Sequence, residues 1–301
     1  MPDAFFIVGP TATGKSELAA DVARDLDTEI VSADAFQIYR GLEMLTAKPD
    51  AATLAKAPHH LIGTMSILEE MNAERFRQFA FRAIEEIHAR GKPAIVVGGS
   101  GLYVKTLTHG LSATPASDPK LRTKLNKLSL DQLRARLVDL DPEAARKIDM
   151  KNRRRLVRAI EICLASGRPA SQQRNWQKED VDLRGVFVSR DRDDLYQRIN
   201  RRVEAMFENG VIEEVRAAGV ISETASKMIG LREIRELLEG KMSILQCVAQ
   251  IQQATRQYAK RQLTWFRHQT NFEPLNLSLL SHGETVKWIS QRARRAFAEQ
   301  G

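Results

Sequence analysis

Residues Gly9 to Ser16 read GPTATGKS, the spacing G-x-x-x-x-G-K-[ST] whose backbone N–H groups and lysine surround a chain of phosphates. In that loop Gly9 and Gly14 permit backbone conformations closed to other residues, and Pro10, Thr11, Ala12 and Thr13 form its wall. Lys15 adds a point charge, and Ser16 is placed to hold Mg²⁺ bound to the same phosphates. A nucleotide triphosphatase also needs an acidic residue at the end of a second apolar strand. Here the best such strand, AIVVGG, ends in glycines, and the remaining carboxylate is Asp34 after TEIVSA. Taken alone, a carboxylate at a strand end reads as a cap or turn residue. Arg198 and Arg202 lie four apart and share a helix face. Such a pair clamps a diphosphate or simply lines a solvated surface. Arg153 to Arg158 carries four arginines in six positions, a phosphate-binding candidate whose alternatives are a helix face or the lid of a kinase.

The elements that must position these residues alternate. AFFIVG, the helix opening at the phosphate loop, and TEIVSA are followed by the amphipathic stretch AERFRQFAFRAIEEIHARG, with Phe76, Phe79, Ala80, Ala83, Ile84 and Ile87 at spacings of three and four. PAIVVGG then reads as a buried parallel strand, RGVFVSR as a returning one, and DDLYQRINRRVEAMFENG as a helix. The tail holds the long basic helix SILQCVAQIQQATRQYAKRQLTWFRHQ, a short strand at FEPLNL and a last helix. Between Thr114 and Asp182 β-branched runs give way to charged helical segments. The pattern predicts an α/β fold: a P-loop-type parallel sheet flanked by helices, residues 1–113 and 183–301, with an all-helical insertion at 114–182.

The 301 residues are 43% apolar and 28% charged, the composition of a folded globular chain. The net charge of +8 favours polyanionic partners. Two cysteines, Cys163 and Cys247, each inside an apolar helical pattern, support neither a disulfide framework nor a zinc cluster. That cysteine usage fits a reducing cytoplasm, and no stretch approaches a membrane span; the expectation is a cytoplasmic protein without a membrane partner, taken as a monomer.

Seven stretches in order, GPTATGKS, SADAFQIYRGLEMLTAKP, PHHLI, VVGGSGLYVKTLTHGL, RRRLVRAIEI, RINRRVEAMFENGVIEEV and QYAKRQLTWFR, together resemble the bacterial tRNA dimethylallyltransferase (tRNA isopentenyltransferase) family. The resemblance implies transfer of a dimethylallyl group from dimethylallyl diphosphate to the exocyclic N6 of the adenosine 3′ of the anticodon. The tRNAs are those reading codons that start with U, and their anticodon stem-loop is the partner. It implies that the loop and Arg198 hold an isoprenoid diphosphate with Mg²⁺ on Ser16. By matching of RINRR, Arg202 becomes the family's diphosphate arginine, and Asp34 the acceptor of the adenine proton. Asp34, Ala35, Phe36 and Gln37 match the base-contacting loop, where the Gln37 amide can read a base edge. Ser100, in place of the usual threonine, is implied to position tRNA, and Arg154, Arg155, Leu156, Val157 and Arg158 match a tRNA-contacting stretch. Trp265 and Phe266 are expected to be mostly core.

Departures from the family pattern fall at Ala35, Leu45, Gly63, Lys227, Met228, Leu231 and Arg232. Two rival readings remain at this point: a P-loop kinase of a small alcohol or nucleoside monophosphate, and a basic RNA-binding protein with a vestigial phosphate loop.

Overall fold

In the computed structural model residues 3–111, 114–173 and 183–299 are described. The chain forms two compact units, residues 1–108 with 182–301, and residues 109–181. The larger unit begins with β1 (Ala4–Val8), α1 (Lys15–Asp25), β2 (Glu29–Ser32), α2 (Ala51–Leu54), β3 (His59–His60), α3 (Ala73–His88), β4 (Ala94–Gly98) and α4 (Gly101–Thr108). The smaller is built from α5 (Pro119–Asn126), α6 (Leu130–Leu140), α7 (Pro142–Lys147), α8 (Arg153–Ser166) and α9 (Ala170–Gln173). The larger unit resumes with β5 (Gly185–Ser189), α10 (Arg192–Glu208), α11 (Val211–Ala217), α12 (Leu231–Leu238), α13 (Ile244–Gln269), β6 (Glu273–Asn276) and α14 (His282–Ala298).

The six strands form one sheet in the order β3-β2-β4-β1-β5-β6, every neighbouring pair parallel. A parallel sheet needs helices on both faces, which is why β1 and β4 are buried along their whole length and read as unbroken apolar runs. Alternate residues serve opposite layers. Phe5, Ile7, Ile95, Val97, Val186 and Val188 pack with Leu18, Ala19 and Val22 of α1 and with Ile289 and Ala293 of α14. On the other layer Phe187 stacks on Phe266 of α13, and Phe76 of α3 stacks on Tyr103 of α4.

The predicted helix over 73–88 forms, with Phe76, Ala80, Ala83, Ile84 and Ile87 buried and the Asn72 side chain accepting from the Arg75 N–H at its N-terminus. The 26-residue α13 starts at a reciprocal cap between Ser243 and Gln246 and buries Cys247, Ile251, Thr255, Ala259, Gln262 and Phe266. β3 carries no periodic signal. It is two half-buried histidines held in register by β2, where the Ile30 N–H donates to the Pro58 carbonyl at 2.9 Å.

The helical unit has its own core, with Leu133 and Leu137 of α6 against Leu156 and Ile160 of α8. Glu161, 2% exposed, is paired there in two hydrogen bonds by Arg122, at 2.8 and 2.6 Å. No described helix is long and apolar enough to cross a membrane.

Candidate active site

The loop after β1 turns into α1 through two glycines with different reasons to be glycine. Gly14 has φ +90°, the left-handed region, as the N-cap of α1. Gly9 has no such backbone demand, contrary to the expectation from sequence. Its need is space, because a Cβ there would lie 2.2 Å from the Val188 carbonyl oxygen of β5. Side chains take up the loop's carbonyls. Arg190 Nε donates to Thr13 O at 2.8 Å, Arg198 Nε to Ala12 O at 2.9 Å, and the Thr13 hydroxyl and Lys15 Nζ to Pro10 O at 3.0 and 3.3 Å.

α10 supplies the remaining cation. Arg202, one turn after Arg198, donates from its terminal nitrogen to the Thr11 hydroxyl at 2.8 Å, and its enclosed Nε has no hydrogen-bond partner among the described residues. A buried guanidinium nitrogen with nothing to bond is costly, and any acceptor entering the cavity beside it would relieve that cost. Burial lowers Lys15 from its ordinary value to about 8, with nearby Arg202 pushing the same way and Asp34 opposing. Burial likewise lowers Arg202 to about 10, against the pull of Asp34 and with the push of Arg198. Lys15 and Arg202 therefore crowd Asp34, while Asp194 and Glu17 offset Arg198; burial lowers all three cations, and an added polyanion would relieve them.

Asp34 stands just beyond β2. Its Oδ1 accepts from the N–H groups of Phe36 and Gln37 at 2.9 and 3.2 Å, and among the described residues no hydrogen bond is made to its Oδ2. It is thus the turn residue that sequence alone suggests and also a carboxylate facing Lys15 and Arg202. Ser100 holds this loop from β4: its Oγ accepts from the Ala35 N–H at 3.0 Å, and its own N–H donates to Ala33 O at 3.3 Å. Tyr258 of α13 lies beside Ser100, and burial and the charge of Asp34 raise its phenol to about 12. Gln37, expected to read a base edge, spends its amide nitrogen on Ala47 O at 2.9 Å.

A cavity of about 940 Å³ is lined by Thr11, Ala12, Gly14, Lys15, Ser16, Asp34, Gln37, Arg198 and Arg202, and it extends toward Lys48, Asp50 and Asn209. Beside it is a recess of about 70 Å³ that shares Thr11, Asp34 and Arg202 and is otherwise mostly apolar, with Phe36, Leu45, Val203, Met206, Met228 and Ile251. Leu45 and Met228, two of the departures from the family pattern, are therefore buried wall residues of this recess.

The arginine segment of α8 needs correction. Leu156 and Val157, expected to contact tRNA, are 0% and 4% exposed in the core of the helical unit and present nothing to a partner. They occupy the inward face of the helix that the arginines clothe. Arg158 bonds Thr114 Oγ and Pro115 O, and Arg153 bonds Asn126 O and Leu128 O, so both brace the unit. Arg154 and Arg155 are exposed. Phe266 is core, at 1% exposure, while Trp265 is half-buried against it and over Gly101.

Sequence reasoning passed over Arg190, Tyr258 and Gln262. The last two lie one helical turn apart in QYAKRQ, a spacing that places both on one face, but their charged and aromatic neighbours carried the louder signal.

The IPP transferase family model matches residues 37–269. A tRNA dimethylallyltransferase of Akkermansia muciniphila is 46% identical over 265 residues, 88% of this chain and 90% of that one. Among solved structures, the full-length tRNA isopentenylpyrophosphate transferase of Bacillus halodurans is 31% identical with a TM-score of 0.72, covering 100% of this chain and 99% of its own. A eukaryotic dimethylallyltransferase captured acting on tRNA gives a TM-score of 0.80 at 27% identity, over 99% of this chain and 80% of that one.

Proposed function

The chain belongs to the IPP transferase family, and from that membership we propose that it transfers a dimethylallyl group from dimethylallyl diphosphate to N6 of the adenosine immediately 3′ of the anticodon in tRNAs reading codons that start with U. The observation that carries the reading is the placement of Asp34. β4 ends at Gly98 and Gly99 follows it, so the strand-end carboxylate that a phosphoryl transferase uses to orient its metal and water is missing there. The site's carboxylate instead borders both the phosphate-loop cavity and the apolar recess.

The chemistry follows from that arrangement. The allylic C–O bond breaks, its electron pair leaves on the diphosphate, and the allylic carbon gains positive charge while N6 bonds to it. The leaving group's growing charge falls to the loop amides, Lys15, Arg198 and Arg202. The proton released from N6 goes to Asp34, whose Oδ1 is fixed by two backbone donors. The apolar recess suits the five-carbon chain and excludes water from the developing cation.

Mg²⁺ fits the donors present. The Ser16 hydroxyl lines the cavity with the Asp34 carboxylate, hard oxygen ligands too few for a protein cage. This matches an ion that arrives with its phosphates and keeps several waters. When bound it would supply charge neutralisation to the diphosphate. Exposed Arg154 and Arg155 offer phosphate contacts to the anticodon stem-loop, and the protein works as a monomer in the cytoplasm, where that RNA is.

The test is the mass of nucleosides digested from unmodified tRNA incubated with the protein, dimethylallyl diphosphate and Mg²⁺, with Asp34→Ala alongside. A dimethylallyl adduct on adenosine, lost in the variant, is expected. ATP consumption on a small acceptor with no adduct would overturn the reading in favour of a kinase.

A further inference from the structure

Beyond the sheet's last rung the loops after β1 and β4 separate. Val8 pairs with Gly98, and the Gly9 N–H still reaches Gly98 O at 3.2 Å. The next N–H along the first chain, that of Thr11 (Pro10 has none), and the next carbonyl along the second, that of Gly99, are bridged by the side chain of Gln262. Its Oε1 accepts from Thr11 N at 2.9 Å and its Nε2 donates to Gly99 O at 2.8 Å. An N–H can only donate and a carbonyl can only accept, so the two partners fix which end of the amide is which. Gln262 is 5% exposed, where a missing bond would leave both backbone groups unpaired and desolvated.

We infer that Gln262 is a positioning residue, a side-chain rung that sets the phosphate loop and the Asp34 loop at a fixed separation. The hydrogen bonds on either side make the coupling physical. Thr11 carries Arg202 on its hydroxyl, on the diphosphate side. Gly99 precedes Ser100, which holds the Ala35 N–H next to Asp34. Moving the rung shifts the cation that receives the leaving group relative to the carboxylate that receives the proton. The space is tight as well: a Cβ on Gly99 would lie 2.4 Å from Gln262 Nε2 and 2.7 Å from Gly9 O. Only an unbranched side chain with adjacent donor and acceptor spans this gap, so neither a hydrophobic isostere nor a shorter amide replaces it.

The rate arm of the test rests on the transferase reading, and the binding arm does not. Gln262→Met keeps the volume and removes both bonds; Gly99→Ala displaces the amide from the opposite side without deleting it. Cys247→Ala, buried in the same helix and outside the site, controls for simple loss of stability. Inorganic diphosphate affinity, tRNA affinity, kcat with both substrates saturating, and the thermal midpoint are measured for each. Gln262→Met and Gly99→Ala are expected to weaken diphosphate binding and lower kcat by about tenfold each, the size of one or two buried hydrogen bonds removed, with tRNA affinity unchanged. Cys247→Ala should lower the midpoint and move neither parameter. Wild-type diphosphate affinity and kcat in Gln262→Met, or losses that track the midpoint equally in the Cys247→Ala control, would overturn the assignment. A wild-type protein that transfers nothing would sink the transferase reading while the diphosphate arm still decides the rung.

Discussion

Lys15 is held at about 8 by burial, and this makes diphosphate affinity depend on pH in a range where an ordinary lysine would be inert. The bound anion needs the ammonium form, so the apparent dissociation constant rises as the free protein loses that proton. With a free-state value near 8, the protonated fraction falls from about nine-tenths at pH 7 to about one-tenth at pH 9, and affinity weakens by about tenfold, close to 1.4 kcal/mol. A lysine at its ordinary value would change the affinity by only a few per cent over the same interval. The ligand's own phosphate ionisation opposes this trend, so the perturbation to compare is Lys15→Arg, which stays charged throughout. Titration calorimetry of inorganic diphosphate at pH 7, 8 and 9 should show wild-type affinity falling about tenfold relative to the variant. At pH 8, buffers of different ionisation enthalpy should report uptake of about half a proton by wild type and less by Lys15→Arg. The absolute affinity of the variant carries no weight, since its geometry differs. Parallel pH curves for the two proteins would refute the reasoning.

Leu156→Ala is expected to destabilise the helical unit by about 2–5 kcal/mol, read by denaturant unfolding, while tRNA affinity well below the transition stays unchanged, because the side chain is core. Replacing both Arg154 and Arg155 by alanine should reduce the slope of log affinity for tRNA against log salt by up to about 2, somewhat under 1 for each phosphate that is no longer neutralised, in filter-binding or anisotropy titrations. Gly9→Ala drives a Cβ into the Val188 carbonyl and should weaken diphosphate binding at least about tenfold with far-ultraviolet circular dichroism preserved; unchanged affinity would show that the loop does not depend on that close approach.

The parts legible in the sequence share one physical cause, periodic burial or a fixed local spacing. β1, β4 and β5 announced themselves as apolar runs because both faces of a parallel sheet are covered, and α3 because its buried residues recur every three or four positions. The phosphate loop is a local motif and needed only its eight residues. Long-range complementarity was not legible. Nothing in GPTATGKS says that Gly9 faces a carbonyl from residue 188, or that the Thr11 amide meets a glutamine 251 positions away. The same limit explains Leu156 and Val157. A dense arginine segment suggests a binding surface, but a helix shows only one side to solvent, and these two residues turn inward. β3 was invisible because two histidines have no period and take their strand geometry from β2.

The charge balance of the site explains how a loop usually associated with nucleotide hydrolysis suits departure of a carbon-bound diphosphate. As the allylic C–O bond breaks, negative charge accumulates on the leaving oxygen and so on the whole diphosphate. A site that already holds Lys15, Arg198 and Arg202, all three lowered by burial, with Asp34 facing the first and last and with Asp194 and Glu17 near Arg198, gains more from that increase than from the ground-state ester. The gain falls mainly at Lys15 and Arg202, because burial has removed much of their water before substrate arrives and little has to reorganise around them during the reaction. A second carboxylate at the end of β4 would cancel part of that excess and weaken the preference for the more charged state. Glycine there removes the competing charge and, at Gly99, lets the loop come close enough for the Gln262 amide to bridge it to Thr11. The same substitution that denies the fold a hydrolase's metal carboxylate therefore preserves the field that favours ionisation and opens the space that fixes Arg202 relative to Asp34.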